Sequence, residues 1–148
     1  MTLAKRHRQL VEDLSLIPDR HERLAVIVDR TRKLAPLSAA ERTAENRVAG
    51  CQSAVWLIGQ LNADGTLALR CDADSPMVKG LVYLLVEAYT GAPPAEIAAT
   101  EPTFIDQLDL LRDLSPTRRN GLLAVHARIR TLATATLANQ PTSNSTTF

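Results

Sequence analysis

The sequence has almost no net charge, two cysteines, no long apolar run and none of the common cofactor loops, and each absence removes a class of function. Seventeen Lys and Arg against sixteen Asp and Glu leave a charge of +1, so no global field holds a polyanion and nucleic acid is not expected as a partner. The longest strongly apolar stretch, Leu81 to Val86, is far shorter than the roughly 20 residues of a membrane-spanning helix. The opening residues carry Lys5, Arg6 and Arg8 and lack the apolar run of a signal peptide. A soluble, cytoplasmic protein with no membrane partner is therefore expected. Cys51 and Cys71 are the only cysteines, too few for a disulfide framework, and both are expected to be reduced. His7, His21, Cys51, Cys71 and His126 are scattered, with no Cys-x-x-Cys or His-x-x-x-His pair, so no metal site is expected. The phosphate loop Gly-x-x-x-x-Gly-Lys, the dinucleotide loop Gly-x-Gly-x-x-Gly and the nucleophile elbow Gly-x-Ser-x-Gly are all missing.

What is present is the composition of one globular domain: 148 residues, 45% apolar and 22% charged, enough to bury a single core. Leu3, His7, Leu10, Val11 and Leu14 recur at helical spacing ahead of Pro18. Asp19 can cap a second helix striped by Leu24, Ile27, Val28, Thr31 and Leu34, stopped by Pro36. Residues 39–45 form a helical turn. The pattern then changes: residues 54–61 favour a strand covered on both sides. A turn ending in Asp64-Gly65 leads to Leu67, Leu69 and Cys71 on one side of a second strand. Residues 47–49 are expected to add a third strand, because an isolated hairpin is marginal. Ser75 or Asp74 caps a helix starting at Pro76 and ending near Gly91, apolar enough to lie under the sheet. Short helical pieces follow Pro93-Pro94 and Pro102. A last helix begins after Ser115-Pro116, with Leu122, Val125, His126, Ile129, Leu132 and Ala133 recurring at helical spacing, and reaches about Leu137. The polar segment from Asn139 to Phe148 is expected to be a disordered tail beyond a domain of residues 1–138. The order predicts an α+β fold, a small antiparallel sheet of three strands with flanking helices.

His7 and His126 lie on helical stripes and read as partly buried core residues, and His21 as solvated. Cys71, in step with Leu67 and Leu69, reads as a small apolar core residue. Cys51 differs. It follows Gly50 and precedes Gln52 and Ser53, a loop of small and polar residues between two extended runs, with a glycine that can swing the thiol outward. It is either a chance turn cysteine or a thiol presented for chemistry. A hairpin centred near Asp64 pairs Cys71 with a residue near Trp56 to Ile58. That leaves Cys51 roughly 15 to 25 Å away, too far for a disulfide.

Residues 46–57, Asn-Arg-Val-Ala-Gly-Cys-Gln-Ser-Ala-Val-Trp-Leu, resemble the active-cysteine signature of the SufE family, sulfur acceptors of iron–sulfur cluster assembly. Residues 72–81, Asp-Ala-Asp-Ser-Pro-Met-Val-Lys-Gly-Leu, resemble that family's acidic turn and helix start. Residues 114–122, Leu-Ser-Pro-Thr-Arg-Arg-Asn-Gly-Leu, resemble its final-helix entry. Ala49 replaces a frequent proline, Ala73 and Ser75 depart from the commonest residues of the acidic turn, and Cys71 is not a family feature. The resemblance covers about residues 5 to 135 and implies an architecture similar to IscU-type scaffolds. It implies that Cys51 takes persulfide sulfur from a SufS-type cysteine desulfurase, stimulating it, and passes the sulfur to an assembly scaffold. The chain would then be a co-catalyst with no cofactor of its own, the pyridoxal phosphate belonging to the desulfurase, and either a monomer or a homodimer. Gly50, Gln52, Ser53, Asp74, Lys79 and Arg118 are candidates for partner contact. A free thiol with a pKa of about 8.5 is only slightly ionised at neutral pH, so Arg118 or Arg119, if near Cys51, would activate it. A carried persulfide needs shelter, expected from Val55 or Leu57. The rival readings are a redox-sensing thiol protein and an iron–sulfur scaffold of IscU type, the latter needing about three cysteine-type ligands.

Overall fold

The computed structural model describes residues 2–112 and 114–139, with Lys33 as backbone only. Two helices, α1 (Leu3–Ser15) and α2 (Arg20–Asp29), precede a 3-10 turn at Arg30–Lys33. Thr2 caps α1 by accepting from the Lys5 N–H, and Asp19 caps α2 by accepting from the His21 and Glu22 N–H groups, which satisfies donors that a helix start leaves free. An antiparallel hairpin follows, β1 (Val55–Leu61) and β2 (Leu67–Ala73), and then α3 (Pro76–Tyr89), α4 (Pro94–Ala99), α5 (Thr103–Gln107) and α6 (Pro116–Asn139).

The hairpin register is the one that the Asp64-Gly65 turn predicts. Leu57 faces Cys71 and Trp56 faces Asp72, and Gly65 holds a φ of +85°, the left-handed region that glycine enters without a Cβ penalty. Val55, Leu57, Leu67, Leu69, Cys71 and Ala73 are buried on one face of the sheet. On that side α3 packs on β2, and α6 packs on β1. Leu132 of α6 comes within 3.5 Å of the position a Cβ on Gly59 would take. The opposite face is covered in part by the chain before Cys51: Arg42 lies over the Trp56 ring at 5.0 Å, and the Leu37 N–H reaches Asp72 at 2.9 Å.

Three strands were expected, and among the described residues two form. The segment before Cys51 makes a single bridge, Arg47 opposite Trp56, through Val48 N–H to Val55 O at 2.8 Å and Leu57 N–H to Asn46 O at 2.9 Å. A turn that closes from the Arg47 N–H to Thr43 O at 3.1 Å ends it on one side. On the other, Gly50 turns away with a φ of +89°. Two residues between two turns cannot extend a ladder. At the far end α6 runs to Asn139, the residue at which the polar tail was expected to start, and residues 140–148 of that tail lie outside the described residues.

One side chain ties the layers together. Asp72, 1% exposed, accepts from Leu37 N–H and Ala73 N–H, each at 2.9 Å, and from Arg42 Nη2 at 2.6 Å, and lies 3.4 Å from Lys79 Nζ on α3. Burial alone would raise its pKa, but these donors outweigh it and hold the carboxyl below its ordinary value, as hydrogen bonds to a charged form do. The chain leading to Cys51 is thus pinned to β2 and α3.

Candidate functional site

Cys51 stands at the tip of the loop between the Arg47–Trp56 bridge and β1. Both ends of this loop are fixed, by the bridge and by a bond from Asp74 N–H to Ala54 O at 3.1 Å. The positive φ of Gly50 brings the tip against α6, where a Cβ on Gly50 would lie 3.4 Å from Ala124 Cβ. The Cys51 Sγ–H donates to the Gly121 carbonyl at 3.5 Å. The thiol is half-buried and faces a cavity of about 120 Å³, with Val78, Leu81 and Val82 of α3 and Leu122 and Val125 of α6 as its apolar walls. Burial pushes the Cys51 thiol above its ordinary pKa, and the positive charge of Arg47 opposes this. At neutral pH the resting sulfur is a protonated, shielded thiol. Cys71 is buried deeper, within β2, and pushed up to about 12, burial again leading and the Asp72 carboxylate adding to it. It is a core residue and chemically quiet. Both cysteines are free.

Two expectations about this site are corrected. Shelter comes from α3 and α6, not from Val55 and Leu57, which are spent on the sheet core. The activating charge expected of Arg118 or Arg119 comes from Arg47. Arg118 does line the cavity, but its Nη1 is held 3.1 Å from Met77 Sδ. Arg119 is turned to the carbonyls of Leu114 and Arg112, at 3.2 Å each. Sequence reasoning misses Arg47 although it lies four residues before Cys51. Its placement depends on the bridge to Trp56, and no local pattern announces it.

The sequence of this chain fits the profile of SufE, an Fe-S metabolism associated domain, over residues 8–133. The chain belongs to the SufE family. An uncharacterized SufE-like protein of Rhizobium etli is 33% identical over 126 residues, covering 82% of this chain and 85% of that one. The chloroplastic/mitochondrial SufE-like protein 1 of Arabidopsis thaliana is 40% identical over 92 residues, 62% of this chain but 25% of the plant protein. The solution structure of a hypothetical protein from Thermus thermophilus shares the fold, with a TM-score of 0.74 at 23% identity over 90% of this chain and 96% of that one. Membership of the SufE family associates the chain with iron–sulfur metabolism.

The other candidates of this SufE chain divide into two groups. Gln52, Ser53 and Arg118 line the cavity beside Cys51, and Gly50 shapes the loop. Asp74 is exposed and touches the loop through its backbone. Lys79 pairs with Asp72 at 3.4 Å and is absent from the cavity lining. Gly121 stands out in the sequence only as part of the final-helix motif, and Leu122 only there and on the apolar stripe of the last helix, yet both line the cavity that the sulfur faces. Among the described residues no three His, Cys, Asp or Glu side chains gather where they could hold a metal ion, and no helix is long and apolar enough to cross a membrane.

Proposed function

We propose that this chain is a sulfur acceptor and activator of a SufS-type cysteine desulfurase, carrying sulfur on Cys51 to an iron–sulfur assembly scaffold. The observation that carries the reading is the Cys51 thiol itself, set on a glycine-led loop tip and facing an apolar cavity. Loading is thiol exchange. The Cys51 thiolate attacks the outer sulfur of the desulfurase persulfide, the new S–S bond forms as the donor's breaks, and the donor cysteine leaves as a thiolate. Sulfur keeps its oxidation state overall, so no separate oxidant is needed.

The elevated Cys51 pKa favours holding over attacking, which suits a carrier activated by its partner. Docking adjacent positive charge, or moving the tip out of its apolar surroundings, lowers the pKa and exposes the nucleophile. Gln52, Ser53, Arg118 and Asp74 surround the tip and are the proposed contact set. Lys79 acts behind them by fixing Asp72. Two free thiols suit a reducing compartment such as the cytoplasm.

The test is to mix the protein with a SufS-type desulfurase and cysteine, follow sulfide release, and weigh the intact chain. Stimulated release and the mass of one added sulfur, both lost in Cys51→Ser, are expected. Peroxide-sensitive Cys51 with neither effect would favour the redox-sensing thiol instead, and visible absorption from a reconstituted cluster would favour a scaffold.

A further inference from the structure

Gly121 is the sixth residue of α6, inside a helix, where glycine is a poorer choice than alanine. Its φ is not positive, so the backbone does not demand glycine. Packing does not demand it either. A Cβ on Gly80 of α3 would stand 2.9 Å from the Val28 Cα, a distance real side chains do not reach, and glycine is forced there. A Cβ on Gly121 would meet only Cys51, its Sγ at 3.6 Å and its Cα at 3.9 Å, both ordinary contacts. The protein with its thiol unmodified could carry alanine at this position. What alanine would remove is empty volume on the surface of one particular atom, Cys51 Sγ.

We propose that Gly121 is the berth for the outer sulfur of a Cys51 persulfide, the space left by its missing side chain being where the carried sulfur is kept. This rests on the sulfur-acceptor reading and adds the residue that decides how well the cargo is held. A second sulfur bonded to Sγ at about 2.05 Å extends into the cavity and, on the α6 side, takes the room a methyl group 3.6 Å from Sγ would occupy. Around it, Val78, Leu81, Val82, Leu122 and Val125 offer apolar contact and exclude water and competing thiols. The Gly121 carbonyl, which accepts from the Cys51 Sγ–H at 3.5 Å, marks the side of the sulfur that this berth adjoins. Gly121 holds the cargo and takes no part in bond making. Loss to a reducing thiol is the same exchange as loading: the thiolate attacks the outer sulfur, a persulfide forms on the attacker, and Cys51 returns as a thiolate.

The experiment compares wild type, Gly121→Ala and Gly121→Ser after loading by a SufS-type desulfurase with cysteine. The chains are freed of substrate and challenged with dithiothreitol while the sulfur adduct is followed by intact mass. Melting and alkylation of the unloaded thiol are measured alongside. We expect the adduct to decay several-fold faster in both variants, while Gly121→Ala melts about 2–6 °C higher. Equal decay in all three chains would overturn the berth and leave the acceptor reading standing. Faster decay together with a lower melting temperature, or with faster alkylation of the unloaded thiol, would overturn it too, because a loosened loop would then account for the loss. A wild type that gains no sulfur would remove both readings.

Discussion

The reactivity of Cys51 is a balance between one burial and one charge. The apolar cavity raises the thiol pKa and Arg47 lowers it, so Arg47→Ala should push it further up. Alkylation by iodoacetamide, followed from pH 6 to 9, is expected to be slower in Arg47→Ala at every pH below the thiol's pKa and unchanged in Arg118→Ala. An effect of Arg118 alone would reverse the assignment. Gly50 offers a second test at the same scale. Its φ of +89° is costly for any residue with a Cβ, so Gly50→Ala should lower stability by about 1–2 kcal/mol in urea unfolding and displace the thiol from α6. The sequence made Cys51 stand out, because a glycine-led turn and two flanking extended runs are local facts. It did not reveal which charge faces the thiol, because Arg47 is placed by a cross-strand bridge and Arg118 is drawn off by Met77.

At the level of elements, the helices and the hairpin were legible for a common reason. The cap at Asp19, prolines at Pro76, Pro94 and Pro116, and the Asp64-Gly65 turn are signals written within a few residues. That only two strands form among the described residues was not legible, since it depends on Gly50 turning the chain away and on Asp72 pulling the segment before it toward β2 and α3. That carboxylate is the element-level anchor. Asp72→Asn keeps the shape but leaves Arg42 and Lys79 without a counter-charge, and should cost about 1.5–3 kcal/mol in urea unfolding at neutral pH. The sign of its pH dependence follows from its lowered pKa. The carboxylate contributes stability above its unfolded value, near 3.9, and loses that contribution as the pH falls through the still lower folded value. The cost of Asp72→Asn should therefore shrink toward zero in strong acid. A penalty that persists there would mean that shape, not charge, is what the position supplies.

The whole molecule closes around a junction of helices from both ends of the chain, and this was the least legible part, because it joins residues far apart in sequence. His7 on α1 bonds the Ala88 carbonyl at 3.0 Å and sits edge-on to Tyr89 and Phe104, with ring centres 5.0 and 4.7 Å away. His126 on α6 lies 3.4 Å from the Tyr89 hydroxyl, which itself donates to the Thr100 carbonyl at 2.7 Å. Burial lowers the pKa of both histidines. Around His7 the Ala88 carbonyl and Glu96 work against that and Arg6 with it, and around His126 Glu101 works against it and Arg130 with it. The folded state therefore holds two neutral imidazoles that the unfolded chain protonates near pH 6.5. Their contribution is intact above that value and declines as the pH falls below it, by at most about 1.4 kcal/mol per pH unit for each histidine. Urea midpoints should thus be level from pH 8 to 7 and fall between pH 6.5 and 5, well before carboxylates such as Asp72 are protonated. In His126→Gln the fall should be about half as steep, because one of the two proton acceptors is gone. An unaltered slope in that variant would place the acid response elsewhere.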